Sequence, residues 1–265
     1  FGTPEMNSVF DLSRLRQNVM RRLHSSDRIT PVVPSVWMAE QFRLSGMSLR
    51  TPVYIPHAVN TGIFIPRNRA EIRRKFGLPT DSLIILLAAN GISLRNPYKG
   101  FSAALKVIRA LKSKSPFVLL VGQTDSEFLR ELDGFRYFCS GHLNKEAEIA
   151  EYYSTADVFL NCTAADSFSL VTAEAASCGV PVAGFAVGGV PEIIENGRSG
   201  LLVSAGDVES LSRELLECID YGKLGLMGET ARKTVEERFG RNLFIERHLD
   251  LYYRETERFN AGNRQ

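Results

Sequence analysis

The sequence predicts an α/β fold, a parallel sheet with helices on both faces, and three observations carry that prediction. Four compact, mainly apolar runs of strand length recur, Leu83–Ala89, Pro116–Gly122, Ala156–Cys162 and Pro181–Ala186, and such runs belong to strands buried on both faces. Between them lie stretches of helical periodicity, the pattern of parallel strands joined by helical crossovers. Glycine and proline stand at the junctions, among them Gly77, Gly100, Gly179 and Pro181.

Taken in order, residues 1 to about 27 are polar and rich in Arg and Ser. One amphipathic patch, Leu12, Leu15, Val19 and Leu23, sits there at helical spacing, with Arg14, Arg16, Arg21 and Arg22 elsewhere on the helix. That face is either solvated or a membrane or partner surface. Arg28 to Ser35 reads as a short strand, and Ser35 caps a helix from Val36 to Leu44 that Gly46 ends. Pro52–Pro56 is the next strand, and Glu71–Phe76 is a basic helix stopped by Gly77. The Leu83–Ala89 strand leads into a loop, Asn90 to Gly100, and a helix from Phe101 to about Lys112. After Pro116–Gly122 come a short strand from Tyr137 with the loop to Leu143, and a helix from Ala147 to Ser154 whose Tyr152 and Tyr153 are expected in the core. Beyond the fourth run, Gly188-Gly189-Val190-Pro191-Glu192 predicts a tight turn opening a helix with Pro191 in its first turn. Gly200–Val203 is a strand, Asp207 starts a helix carrying Leu211, Leu215 and Leu216, and Arg232–Phe239 and Leu243–Phe259 are terminal helices.

Composition bounds the function. A chain of 265 residues has ample material for a core, and its net charge of +2 makes no case for a nucleic-acid partner. Cys139, Cys162, Cys178 and Cys218 are scattered among apolar neighbours without metal-ligand spacing, as reduced core thiols of a cytoplasmic protein are. No run reaches the roughly 18 apolar residues of a membrane span. The four histidines have no nucleophile partner at recognisable spacing, and no Gly-x-Ser-x-Gly elbow is present, so a Ser/His/Asp hydrolase finds no support.

The chemistry concentrates in Asp166-Ser-Phe-Ser-Leu-Val-Thr-Ala-Glu174, a loop feeding a short helix between two buried strands. With Ser167 or Ser169 as N-cap, the amides of Ser169, Leu170 and Val171 are first-turn donors, a seat suited to phosphate. Glu174 lies on the face of Leu170 and Val171, so a carboxylate flanks that seat. A bound anion tolerates it only if something attached to the phosphate donates hydrogen bonds to it, as a ribose diol would. Asp166, on the other side, would accept from a second polyol. The implied ligand is sugar, diphosphate and nucleoside in a row.

This stretch resembles the signature of retaining family-4 glycosyltransferases, the glycosyl transferases group 1, whose GT-B fold faces two Rossmann-like domains. Their usual pattern is Glu-Gly-Phe-Gly-Leu, three residues, Glu-Ala, a small-residue turn and Gly-x-Pro-Val. Here it is Asp166-Ser167-Phe168-Ser169-Leu170, then Glu174-Ala175 and Gly179-Val180-Pro181-Val182. Pro34-Ser35-Val36-Trp37 and Ile55-Pro56-His57-Ala58-Val59-Asn60 resemble the segment closing the N-terminal domain of such enzymes, and Gly188 to Glu192 resembles their Gly-Gly-x-Pro-Glu. Asp for Glu shortens the reach by one methylene, and Ser replaces both glycines. In the loop before Gly100, Lys99 matches a diphosphate-binding Lys. The position of a second cation holds Ile92 or Ser93 instead, with Arg95 nearby.

The resemblance implies a Rossmann-like donor-binding half of a GT-B fold. Residues 1–60 would be the remnant closing unit of the acceptor domain with its linker, 61–240 the nucleotide-sugar-binding domain, and 241–265 a helix returning toward the N-terminal domain. The chain then reads as a fragment, and an apolar stripe of Phe244, Leu249, Leu251 and Tyr252 is expected uncovered. Asp166, Lys99 and Glu174 would be the catalytic-site groups. Arg95, Lys99, Leu143, Asp166, Phe168, Ser169, Leu170, Val171 and Glu174 would bind the donor, with Leu143 meeting the base through its main chain. No metal or other cofactor is expected, and no Asp-x-Asp pair appears. The partners implied are a nucleotide-sugar donor and a carbohydrate or lipid-linked acceptor, with transfer at the cytoplasmic side of a membrane in polysaccharide, lipopolysaccharide or glycolipid assembly. A nucleotide-sugar-binding module without transfer and a sugar-nucleotide epimerase are the alternatives.

Overall fold

The computed structural model describes residues 18–19, 29–46 and 50–262. The amphipathic patch thus lies outside the described residues apart from Val19, which is exposed. The chain divides into two compact units, residues 1–56 and 57–265.

In the first unit β1 (Val32–Val33) pairs in parallel with β2 (Val53–Tyr54), joined through α1 (Val36–Ser45). Ser35 caps α1 by accepting from the Met38 amide at 2.9 Å, and Gly46 ends it in the left-handed region.

The second unit holds α2 (Arg69–Lys75), β3 (Ile84–Ile92), α3 (Phe101–Ala110), β4 (Phe117–Thr124), α4 (Ser126–Glu131), β5 (Arg136–Cys139) and α5 (Glu146–Ser154). Then follow β6 (Val158–Asn161), α6 (Leu170–Ser177), β7 (Val182–Phe185), α7 (Val190–Ile193), β8 (Gly200–Val203), α8 (Val208–Asp220), α9 (Leu224–Phe239) and α10 (Arg241–Gly262). The six strands are all parallel, in the order β5-β4-β3-β6-β7-β8. Relative to the first of them this is the doubly wound order 3-2-1-4-5-6, with connections running outward in opposite directions from β3 and β6. Right-handed crossovers then place the helices after β3 and after β6 on opposite faces. On one face α3 packs on α8; on the other, α5, α6 and α9 form a continuous layer with α2. Ile84, Ile85, Leu86 and Leu87 of the central β3 are wholly buried, and each such side chain is worth about 1.5–3 kcal/mol of transfer free energy.

Two charged groups brace this core. Asp157, at the start of β6, accepts from Arg73 at 2.7 Å, Arg69 at 2.8 Å and the Ile84 amide at 2.7 Å. Arg73 is itself buried and also donates to the Thr155 and Ser82 carbonyls. Arg232 of α9 donates to the carbonyls of Thr61, Phe64 and Ser177, tying residues 61–64 to α6.

Several expected boundaries move. The β3 strand runs on through Asn90 and Gly91 to Ile92 because a register shift between Ala88 and Gly91 keeps it paired with β4, so part of the expected loop is strand. Helix α4 was not anticipated; Asp125 caps it by accepting from Phe128 at 2.7 Å. The helix expected from Arg232 starts at Leu224, its early turns hidden by Gly225 and Gly228. Of the stripe expected to lie uncovered, Leu251 is buried and Phe244 half-buried, while Leu249 and Tyr252 are exposed.

Candidate functional site

In doubly wound sheets ligands lie outside the carboxyl ends of the strands where the order reverses, here beyond β3 and β6. The loop after β3 delivers Lys99 and that after β6 delivers Asp166, their Nζ and Oδ2 atoms 3.8 Å apart. Lys99 ends a single 3₁₀ turn capped by Asn96, and Gly100 then starts α3 in the left-handed region, φ +66°. A Cβ on Gly100 would stand 1.7 Å from the Cys162 carbonyl oxygen, so only glycine lets the two loops approach this closely. The Ala164 amide and the Thr163 hydroxyl both donate to the Tyr98 carbonyl, at 2.8 Å each, and complete the seam. Gly188, in the turn before α7, packs in the same way against the Asp166 carbonyl, where its Cβ would stand at 1.8 Å.

Asp166 turns one oxygen onto the Phe168 amide at 3.2 Å, closing a tight turn. The Phe168 ring is buried, edge to face with Phe239 at 5.3 Å and with His57 at 5.5 Å, so it anchors the loop rather than facing solvent. Ser169 occupies the N-cap position of α6, but at φ +73° and without a side-chain capping bond. Its hydroxyl points into the core, 2.9 Å from the Thr172 hydroxyl and 3.2 Å from Asn161 Nδ2. The Ser169 carbonyl receives the Thr172 and Ala173 amides, which leaves Leu170 and Val171 ahead of the first helical bonds. The Leu170 side chain is exposed.

Beside that helix start is a cleft of about 190 Å³. The ends of β3 and β4 give Ala89, Asn90 and Gly122, the loop after β5 gives His142 and Leu143, and α5 and α6 give Tyr153, Val171 and Glu174. Glu174 is mostly removed from water, which pushes its pKa up to about 7. Glu146 adds to the rise, and the Tyr153 hydroxyl, donating to Glu174 Oε2 at 3.4 Å, opposes it. Tyr153 is buried, and burial followed by the neighbouring Glu174 drives its own pKa well upward.

The structure thus brings Lys99, Asp166, Ser169, Leu170, Val171, Glu174 and Leu143 to one end of the sheet. It does not bring Arg95 to them: that side chain is exposed, its Nε 3.5 Å from Glu127 of α4. Ile92 is completely buried, so the cation position after Gly91 is filled by core. Sequence reasoning missed Asn161 and Thr172, and read Tyr153 only as core. An amide inside an apolar strand run and a tyrosine inside a buried helix face both require polar partners, and that requirement was the available signal. Among the described residues no group of three or more His, Cys, Asp or Glu stands together.

A doubly wound sheet with a cation, a helix start and a carboxylate-walled cleft at its switch point defines a half-domain of the Rossmann-like kind. The chain belongs to the family described as glycosyl transferases group 1, whose model matches residues 85–221. It is similar to the N-acetyl-alpha-D-glucosaminyl L-malate synthase of Bacillus anthracis, at 26% identity over 200 residues, 74% of this chain and 51% of that protein. It is also similar to the D-inositol 3-phosphate glycosyltransferase of Mycolicibacterium smegmatis, at 30% identity over 192 residues, 71% of this chain and 44% of that protein. The chain spans about half the length of the curated relatives it matches. Among solved structures, the sucrose-phosphate synthase of Thermosynechococcus elongatus superposes with TM-score 0.78 at 22% identity, covering 97% of this chain and 65% of that one. Anabaena Alr3699/HepE, solved in complex with UDP-glucose, gives TM-score 0.76 at 18% identity, over 91% of this chain and 68% of that one. The fold is that of the Rossmann-like half of a GT-B glycosyltransferase.

Proposed function

We propose that this chain forms the donor side of a glycosyltransferase that moves a sugar from a nucleotide-diphosphate-sugar to a carbohydrate or lipid-linked acceptor with retention. The observation that supports the reading is that Lys99 lies beside Asp166 at the switch point, while Val171, at the start of α6, and Glu174 line one cleft. The nucleoside enters the cleft, its base beside Leu143 and its ribose hydroxyls donating to Glu174. The diphosphate lies over the Leu170 and Val171 amides with the Lys99 ammonium beside it. Asp166 accepts from the donor sugar. As the glycosidic bond breaks, negative charge grows on the departing diphosphate, and Lys99 with the helix amides stabilises it. Residues 1–60 are read as the closing unit of the acceptor-side domain and 241–265 as a helix returning toward it, with transfer at the cytoplasmic side of a membrane. Cell-surface polysaccharide, lipopolysaccharide or glycolipid assembly is the setting this reading favours. Among the described residues no helix is long and apolar enough to cross a membrane.

A second reading, a nucleotide-sugar-binding module without transfer, is favoured by the buried Ile92 and by Asp166, Ser167 and Ser169 where the family pattern has Glu and two glycines. Calorimetric titration with UDP, GDP and their sugars tests the site. One nucleotide should bind, and Glu174→Ala should weaken it by about 1.5–3 kcal/mol, the worth of hydrogen bonds to a charged group. Absence of binding by any nucleotide at millimolar concentration sinks the donor-site reading. Binding without sugar transfer to any acceptor selects the module, and conversion of the bound sugar without acceptor selects an epimerase.

A further inference from the structure

Ser169 is one of two non-glycine residues with positive φ among the described residues, and it stands where the helix amides of the site begin. The left-handed region is unfavourable for a residue with a Cβ, so something must hold it there. What holds it is a closed, buried triangle. Asn161 Nδ2 donates to the Thr172 hydroxyl at 2.8 Å and to the Ser169 hydroxyl at 3.2 Å, and the two hydroxyls lie 2.9 Å apart. All three residues are buried: Asn161 is 8% exposed, Ser169 3% and Thr172 0%. Releasing the Ser169 hydroxyl from this triangle would strand a polar group in the core. The triangle also reaches the second loop: Asn161 Oδ1 accepts from the Thr163 amide at 3.3 Å, and the Thr163 hydroxyl donates to the Tyr98 carbonyl, next to Lys99.

We propose that Asn161 and Thr172 are positioning residues for the donor diphosphate: they lock Ser169 in a backbone conformation otherwise suited to glycine, and so aim the Leu170 and Val171 amides at the phosphates beside Lys99. The inference rests on the donor-site reading above. Neither residue touches the ligand. Both act through the backbone of Ser169, which makes a serine tolerable at a place where the family pattern has glycine.

The test is calorimetric titration of the full chain with the nucleoside diphosphate that binds the wild type, and with the corresponding nucleoside. Thr172→Val keeps the shape and removes the hydroxyl. It should weaken the diphosphate about tenfold while changing the nucleoside less than threefold, because the base and ribose contact the cleft rather than the helix start. Thr172→Ser should retain wild-type affinity. Thr172→Val combined with Ser169→Gly should regain most of the loss, since glycine needs no lock. Binding stoichiometry near one in each variant separates these effects from unfolding. Equal loss for nucleoside and diphosphate, or failure of the glycine to restore the double variant, overturns the proposal. No binding by wild type overturns the donor-site reading and this inference with it, whereas wild-type binding that Thr172→Val leaves intact overturns the inference alone.

Discussion

Glu174→Gln isolates the consequence of burying a carboxylate in the cleft wall. The Glu174 pKa rises from 4.5 to about 7, chiefly by burial, with Glu146 adding and the Tyr153 hydrogen bond opposing. In the unfolded chain the group returns to its ordinary value. Between those two values the folded state holds the proton more tightly, so stability falls as pH rises through the window from about 4.5 to about 7. The difference of about 2.5 units, at about 1.4 kcal/mol each, makes ionised Glu174 cost on the order of 3 kcal/mol above pH 7. Gln has no proton to lose and keeps an acceptor oxygen for the Tyr153 hydroxyl. Urea denaturation of both proteins at pH 5, 6, 7 and 8 should therefore show the variant gaining on wild type as pH rises, by about 2.5 kcal/mol at pH 8 relative to pH 5. A difference between the two that stays constant over this range would refute the reasoning, because Glu174 would then ionise as freely as in water. The same coupling bears on the ligand. Ribose hydroxyls that donate to Glu174 favour its charged form, so nucleotide binding near pH 6.5 should release a proton, measurable as a buffer-dependent binding enthalpy.

Two further predictions follow from the scaffold. Asp157→Asn removes the charge opposite Arg73, which is 4% exposed, and leaves a buried guanidinium with carbonyl partners only. It should destabilise by about 3–5 kcal/mol in urea denaturation, more than any exposed ion-pair deletion in the chain. Gly100→Ala faces both a left-handed φ of +66° and the Cys162 oxygen 1.7 Å from the new Cβ. It should destabilise by about 2 kcal/mol or more and, by parting the two loops, weaken a nucleoside diphosphate more than its nucleoside in calorimetry.

The parts of the fold legible in the sequence are those where one physical signal acts alone. Leu83–Ala89 is a buried strand because nothing in it is polar, and the Ser35, Asp207 and Gly46 caps sit where helix ends require them. The first turns of α9 are not legible in the sequence because Gly225 and Gly228 depress helix propensity, while the reason for Gly228 is tertiary: a Cβ there would stand 2.1 Å from the Gly179 carbonyl. The start of the loop after β3 is not legible in the sequence because a bulge carries pairing through Asn90 and Gly91, which are poor strand formers on their own. Arg95 is a candidate for the site by its place in the loop, and in the structure its exposed side chain lies 3.5 Å from Glu127 of α4.

At the site, charged residues were legible and their supports were not. Lys99, Asp166 and Glu174 announce themselves as charges at the ends of apolar strands or on an otherwise apolar helix. What fixes them is a set of small residues whose roles exist only across the two loops: Gly100 beneath the Cys162 carbonyl, Thr163 on the Tyr98 carbonyl, and Gly188 against the Asp166 carbonyl. None of these contacts has a sequence period, since the partners are brought together by the strand order rather than by spacing along the chain. The serine at 169 shows the limit most clearly. Read against the family pattern it is a lost glycine, and read locally it is an ordinary cap. Only with Asn161 and Thr172 on either side does its positive φ become intelligible, because the Cβ that makes the conformation costly carries the hydroxyl that anchors it.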